Sequence, residues 1–160
     1  MNPARSCLFS LTLAALAACQ TTPEHPEQWV ETTAAAPTDA VLWELSLMAI
    51  EEQGFPVGGG ANPATMTATT GWRLSLAPFK SQGYRERVHL KLEPAEGSRF
   101  KLALHVQRET NENLARPMDV RYAEWEPAPD DEAMAKILIS KINARIGESL
   151  TVGEAPKKRR

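Results

Sequence analysis

The sequence predicts an α+β domain in which two helices pack on one face of a three- to four-stranded antiparallel sheet. Two segments carry apolar residues at helical spacing, and three segments between them alternate apolar and polar residues with period two. The resulting order α-β-β-β-α buries every apolar face when both helices cover the same side of the sheet. The 160 residues, 24% charged and 42% hydrophobic, are typical of one globular domain.

The first helix is predicted between Pro37 and Gly54. Thr38 or Asp39 supplies the capping oxygen at its start. Its apolar stripe consists of Val41, Leu42, Leu45, Met48 and Ala49, widened by Trp43, Leu47 and Ile50. Gly54 is expected to end the helix, and Pro56 keeps it from resuming.

Three alternating runs predict strands at 66–76, 84–93 and 99–108. The residues expected to face the core are the even positions from Met66 to Leu76, then Val88, Leu90 and Leu92, then Phe100, Leu102, Leu104 and Val106. The turn 94–98 joins the last two strands as a hairpin. Counted symmetrically, this turn pairs Glu93 with Arg99, Lys91 with Lys101, and Arg87 with His105.

A polar, proline-containing connection and a second helix follow the hairpin. Val120, Tyr122 and Trp125 are expected to tuck the connection against the core, with a short edge strand near 119–125. The helix begins with Asp130, Asp131 and Glu132, as the helix dipole favours. Its buried face is predicted to consist of Met134, Leu138, Ile139, Ile142 and Ile146, and Gly147 is expected to end it.

The amino terminus has the pattern of a secretory signal peptide. Residues 8–18 form an uncharged, mostly apolar run that follows Arg5 and is too short to span a bilayer. Leu16-Ala17-Ala18-Cys19 resembles the lipobox of bacterial lipoproteins. This resemblance implies cleavage between Ala18 and Cys19, a diacylglyceryl group on the Cys19 sulfur, and acylation (palmitate, for example) of the new amino group. In such lipoproteins an aspartate directly after the cysteine favours retention in the inner membrane. Here that residue is Gln20, so the resemblance implies a location on the periplasmic side of the outer membrane.

These features divide the chain into four parts. Residues 1–18 are the cleaved signal peptide, and they include Cys7. Residues 19–37 are the lipidated cysteine and a flexible tether, too poor in apolar residues to order itself. Residues 38–150 are the single periplasmic domain, and 151–160 a basic, disordered tail.

The domain also resembles a known kind of module. The helix over 41–53, Gly54-Phe55 and the threonine-rich strand leading to Trp72 resemble the small helix–sheet–helix modules of envelope lipoproteins, including those of BamC. The resemblance would cover about residues 38–148. It implies an envelope protein as partner but assigns no functional residue.

Charge is segregated along the chain. Residues 72–108 carry eight basic and three acidic side chains, and 109–132 carry two basic and eight acidic ones. The outward positions of the predicted sheet form a candidate binding face: Arg73, Arg85, Arg87, His89, Lys91, Arg99, Lys101 and His105. Two interpretations stay open. The face is either simply solvated, or it binds an acidic protein surface, a lipopolysaccharide phosphate or a cell-wall carboxylate.

No catalytic pattern emerges from the sequence. His89 and His105 are two imidazoles without an obvious third ligand, whereas catalytic zinc generally has three protein ligands. Neither a Gly-x-Ser-x-Gly elbow nor a phosphate-binding loop is present. We therefore predict no metal, no cofactor, no enzymatic activity and, with a net charge of −2, no nucleic-acid partner. The predicted function is that of an outer-membrane-anchored, non-catalytic accessory or adaptor in an envelope complex. The alternative is a module that binds an anionic lipid, lipopolysaccharide or cell-wall glycan.

Overall fold

The computed structural model describes residues 25–76 and 82–153, with side chains up to residue 147. The predicted signal peptide, the predicted cleavage and lipidation site at Ala18 and Cys19, and residues 154–160 of the predicted tail lie outside the described residues. No helix among the described residues is long and apolar enough to cross a membrane.

Within these residues the chain forms seven strands and two α-helices. In chain order they are β1 (Val30–Ala35), α1 (Asp39–Glu52), β2 (Ala61–Asn62), β3 (Thr67–Thr69), β4 (Arg73–Ser75), β5 (Tyr84–Pro94), β6 (Arg99–Asn111), β7 (Trp125–Ala128) and α2 (Glu132–Gly153), with a 3₁₀ turn at Val120–Tyr122. Every strand pairing is antiparallel. The predicted α+β class is confirmed, and the sheet has more strands than the three or four expected.

The long hairpin of β5 and β6 forms the centre of the sheet. Strands β3 and β4 pair with β5 on one side, with β2 beyond β3, and β1 and β7 pair with β6 on the other side. Both helices contribute to one hydrophobic core with the inward residues of β1, β3, β5 and β6. We call the opposite side of the sheet the outer face.

The cap of α1 and much of its buried stripe follow the sequence prediction. The Val41 amide donates to Thr38 Oγ1 at 3.2 Å, and Gly54 ends the helix with φ +80°. The buried positions are Leu42, Trp43, Ser46, Ala49 and Ile50. Met48, expected in the stripe, is instead about half exposed. The stripe is therefore rotated, and the buried Ser46 hydroxyl is satisfied by donating to the Leu42 carbonyl at 2.7 Å.

A β-bulge interrupts the predicted strand 66–76. Ala68 pairs with Leu90, whereas Arg73 pairs with Glu86, so β3 and β4 use one more residue than the facing stretch of β5. An extra residue exchanges the inward and outward positions beyond it. Arg73 therefore faces inward and Leu74 outward, about half exposed. The expectation that even positions face the core throughout this strand is wrong beyond the bulge.

The predicted register of the central hairpin is wrong by two residues. The turn closes with a hydrogen bond from the Ala95 amide to the Arg99 carbonyl and is centred on Gly97, which has φ +68°. Glycine adopts this left-handed conformation without the steric cost of a Cβ. The observed register pairs Glu93 with Lys101, Arg87 with Gln107, and His89 with His105.

Both predicted ends of the domain need correction. Val30–Ala35, expected to belong to a flexible tether, pairs along β6 from Leu104 to Arg99 and buries Ala34 in the core. The edge of β6 supplies the backbone partners that a free segment lacks. At the other end, α2 continues through Gly147 to Gly153, since a helix tolerates glycine at a cost of about 1 kcal/mol. Its predicted buried face is otherwise confirmed at Leu138, Ile139, Ile142 and Ile146.

A buried carboxylate joins the sheet to both helices. Glu86 is fully buried; Arg73 Nη2 lies 2.6 Å from its Oε2, and Arg108 Nε lies 2.8 Å from its Oε1. Arg73 also donates to the carbonyl of Gln53, which caps α1, at 2.7 Å. Arg108 also pairs with Asp131, the residue before α2. One acidic side chain therefore positions two arginines, and each arginine connects the sheet to the end of a helix.

Replacing this carboxylate is expected to destabilise the fold strongly. Glu86→Gln removes the carboxylate that Arg73 and Arg108 share and leaves Arg108 with Asp131 alone. Breaking a buried ion pair typically costs about 3–5 kcal/mol. Urea unfolding followed by circular dichroism measures the loss. Glu96→Gln, in the exposed turn, is the matched control and should change stability by less than about 0.5 kcal/mol. Equal midpoints for the two variants would contradict the central role of Glu86.

Candidate binding site on the outer face

Seven of the eight residues of the predicted binding face share the outer face. Arg85, Arg87, His89 and Lys91 alternate along β5, and Arg99, Lys101 and His105 alternate along β6. Arg73 does not belong to this set, because the bulge turns it inward to Glu86. The structure thus brings together most of the predicted residues but corrects the membership of the face.

Carboxylates from distant parts of the chain neutralise much of this face. Arg85 Nε donates to Glu109 at 2.7 Å, Lys101 Nζ lies 3.0 Å from Glu31, and His105 Nδ1 lies 3.1 Å from Asp130 Oδ2. The exposed Arg99 lies 4.0 Å from Glu96. Within the described residues, Arg87, His89 and Lys91 form no ion pair. The uncompensated positive charge of the face therefore lies in a single row on β5, at Arg87 and Lys91 on either side of His89.

Three tryptophans lie against the cations of the outer face. Trp72 contacts Arg85 and Arg87, with the guanidinium carbons 4.4 and 4.6 Å from the ring centre, and Trp125 contacts Arg85 at 4.8 Å. The ammonium of Lys91 lies 4.2 Å from the ring centre of Trp29. Such cation–π contacts are worth about 0.5–2 kcal/mol each. Trp72 and Trp125 thus hold surface cations rather than filling the core, where Trp43 is found.

A pair of stacked imidazoles occupies the middle of the outer face. The rings of His89 and His105 lie 4.4 Å apart at 6°, because the observed register places the two residues directly opposite each other. Gln107 Oε1 lies 3.2 Å from His89 Nε2, and Thr69 Oγ1 lies 3.2 Å from His89 Nδ1. An amide oxygen only accepts, so neutral His89 carries its proton on Nε2 and accepts from the threonine hydroxyl at Nδ1.

The amino-terminal residues 25–29, which we call the strap, cover this pair. Trp29 packs edge-on against His105 at 4.4 Å and leaves that histidine only 2% exposed. The Gln28 amide donates to Asp130 Oδ2 at 2.8 Å, and the same oxygen lies against His105. The Trp29 indole donates to Glu27 at 2.8 Å. Sequence reasoning missed this role for Trp29 and Asp130; a tryptophan in an otherwise polar segment was the one available signal.

A cleft of about 370 Å³ lies beside the strap. His89, His105 and Gln107 line it together with the cations Arg87 and Arg108 and the carboxylates Glu27 and Asp130. Its lining offers hydrogen-bond donors and charges of both signs, so it suits a polar ligand. Among the described residues, no group of three or more His, Cys, Asp or Glu side chains is arranged to hold a metal ion.

Burial and neighbouring charges lower the pKa of His89. Desolvation is the main cause, and the charges of His105 and Arg87 add to it, while Gln107 and Glu27 act in the opposite direction. The pKa of Glu27 is also lowered, chiefly by the hydrogen bond from Trp29. The charged groups facing the imidazole pair are therefore Arg87 and Lys91 from β5, Glu27 from the strap, and Asp130 before α2.

Comparison with known proteins provides no assignment for this site. No protein-family model matches the chain, and no curated protein matches it in sequence. The function of the outer face must therefore be argued from its own geometry.

The lowered pKa of His89 predicts a loss of stability in mild acid. Because the pKa of His89 is lower in the folded protein than its ordinary value of about 6.5, the unfolded chain binds this proton more tightly. The stability contributed by neutral His89 is present above about pH 6.5 and is lost as the pH falls through the lowered pKa. Urea unfolding at about pH 7.5 and pH 5.5 should show a larger drop for wild type than for His89→Gln. His25→Gln, at the edge of the cleft, should behave like wild type, and an equal drop in wild type and His89→Gln would refute the mechanism.

Proposed function

We propose that the protein is a lipoprotein of the bacterial outer membrane that acts without catalysis as an accessory or adaptor in an envelope complex. The lipobox resemblance at Cys19 supports the anchor, and lipoproteins carrying two or more acyl chains stay stably attached. The domain would face the periplasm.

The observation that carries this proposal is the position of the strap. His25 already lies against the outer face, and only six residue steps separate it from Cys19. Six extended residues reach about 20 Å. An anchored domain would therefore stay close to the membrane surface, where it could meet other envelope proteins attached to the same bilayer.

A non-catalytic role agrees with the pairing of the polar groups. Glu86 holds Arg73 and Arg108, Asp130 holds His105 and the strap, and Glu109 holds Arg85. Each of these contacts has a structural purpose: it fixes a strand, a helix end or the strap. We infer that this chemistry supports a binding surface rather than a reaction.

The anchor is tested with the two cysteines as a matched pair. Cys19→Ser should abolish metabolic labelling with palmitate and release the protein from the outer-membrane fraction, because the acylated sulfur is lost. Cys7→Ser, inside the predicted signal peptide, should keep both properties. Palmitate labelling that persists in Cys19→Ser would overturn the anchor, and a wild-type protein that cross-links to no envelope protein would overturn the adaptor role.

A second candidate function rests on the uncompensated row of the outer face. Arg87, His89 and Lys91 alternate on β5, without ion pairs among the described residues, and Trp72 and Trp29 lie at the two ends of this row. This arrangement supports binding of an anionic lipid, lipopolysaccharide or a cell-wall glycan. The carboxylates Glu27 and Asp130 in the same cleft weaken the case for a highly charged ligand.

Charge reversal at this row separates the second candidate from the first. In titrations of the detergent-solubilised, lipidated protein with lipopolysaccharide or soluble cell-wall fragments, Arg87→Glu should weaken binding roughly tenfold, about 1.4 kcal/mol. Lys141→Glu, on the exposed side of α2, supplies the same charge change away from the site and should leave binding unchanged. Similar affinities for both variants would eliminate ligand binding at this row.

A further inference from the structure

The connection between β6 and β7 displays an exposed apolar surface. Residues 112–123, which we call the apolar loop, expose 73% of Leu114, 52% of Met118, 45% of Val120 and 48% of Tyr122. The described part of the chain has seven large hydrophobic side chains exposed to this degree, and these four fall within nine consecutive residues. The expectation that Val120 and Tyr122 tuck against the core is wrong. Exposed apolar patches mark protein–protein or membrane interaction sites, and four exposed apolar side chains in one short loop supply the apolar area for such a site.

Two asparagines hold the apolar loop in a fixed shape. The buried Asn111 side chain accepts from the amides of Asn113 and Glu124, both at 3.0 Å, and donates to the Pro117 carbonyl at 3.3 Å. Asn113 accepts from the amides of Ala115 and Arg116. Asn113 also donates to the Tyr122 carbonyl at 2.9 Å. The exposed side chains are therefore presented by an ordered loop, which lowers the entropic cost of binding a partner.

The composition of the loop surface matches that of protein–protein contacts. Tyr122 packs against the guanidinium groups of Arg116 at 4.4 Å and Arg121 at 5.9 Å, and Asp119 holds Arg121 through two hydrogen bonds of 2.8 and 2.9 Å. Tyrosine, methionine and arginine are enriched in the buried centres of protein interfaces. The loop supplies all three residue types together.

The charges beside the loop determine which partner fits. Glu112, Glu124 and Glu126 are exposed at its base, and none of them forms an ion pair within the described residues. These three carboxylates outweigh the one exposed cation of the loop that forms no ion pair within the described residues, Arg116. The resulting net negative charge disfavours the surface of an anionic bilayer, which attracts basic segments. A partner surface that complements the loop has an apolar depression flanked by lysine or arginine side chains.

We propose that the apolar loop is the docking surface for a protein partner that carries an apolar depression flanked by basic residues. The proposal rests on the proposed adaptor function and gives it a place on the molecule. Binding buries Leu114, Met118, Val120 and Tyr122, and the carboxylates at the base of the loop pair with the basic residues of the partner.

Site-specific photo-cross-linking of the full, lipidated chain in intact cells tests the surface. A photoreactive phenylalanine analogue at position 114 should give one product of defined mass. The same analogue at Ile137, which is 45% exposed on α2, is the matched control and should give none. Mass spectrometry of the product supports the proposal when the captured peptide is apolar with lysine or arginine beside it. Capture of lipid, or of a second copy of this chain, overturns it.

Two variants separate the contributions of apolar contact and charge. Met118→Ser should lower the yield of the position-114 product about fivefold or more, as truncation of a central interface residue does. Met48→Ser, similarly exposed on α1, should leave the yield unchanged. The triple variant Glu112→Gln/Glu124→Gln/Glu126→Gln should also reduce the yield, and an undiminished yield in either loop variant overturns the proposal.

A third cross-linking position distinguishes failure of this inference from failure of the proposed function. With the photoreactive group at Lys91, a protein product on the outer face combined with none at position 114 overturns the docking surface and leaves the adaptor role in place. Absence of protein products at all three positions overturns both.

Discussion

The carboxylate of Glu86 connects the sheet to the ends of both helices through two arginines. It lies at the end of the hydrophobic core, where β4, β5 and β6 run side by side, and it holds Arg73 and Arg108 in place. Through these arginines it reaches the carboxyl end of α1 and the start of α2. A buried charge requires such partners, since an unpaired one costs several kcal/mol. The β-bulge between β3 and β4 is part of this arrangement, because without the extra residue Arg73 would face the other side of the sheet.

The register of the central hairpin determines the outer face in a similar way. Gly97 at the centre of the turn places His89 opposite His105, and the strap then covers the stacked rings with Trp29. Asp130 binds both His105 and the backbone of the strap, so the residues before α2 also hold the amino-terminal segment. Most polar groups of the outer face are thus paired, and the uncompensated charge is confined to a short row on β5. The face therefore carries less free positive charge than its number of basic residues indicates.

Basic and acidic segments that are separate in the sequence are largely interleaved in the folded chain. Glu109 pairs with Arg85 across the hairpin, and Glu31 of β1 pairs with Lys101. The acidic stretch 109–132 also contains the apolar loop, which holds four of the seven large hydrophobic side chains exposed on the described surface. The two proposed surfaces therefore differ in chemistry: the outer face offers hydrogen bonds and mixed charge, whereas the apolar loop offers hydrophobic area beside uncompensated carboxylates.

The sequence by itself determined the α+β class, the cap and end of α1, and the inward faces of β5, β6 and α2, whereas the lipid anchor at Cys19 stays a prediction. These features depend on local periodicity and capping chemistry, which a single chain segment displays. Only the tertiary structure decided the bulge that turns Arg73 inward, the strand Val30–Ala35, the histidine pair and the exposure of the apolar loop. Each of these depends either on a shift of one or two residues in strand register or on a partner many residues away in the chain. The periodicity of side chains within one strand contains neither kind of information. A shift of one residue, for example, exchanges the two faces of a strand without changing its sequence pattern.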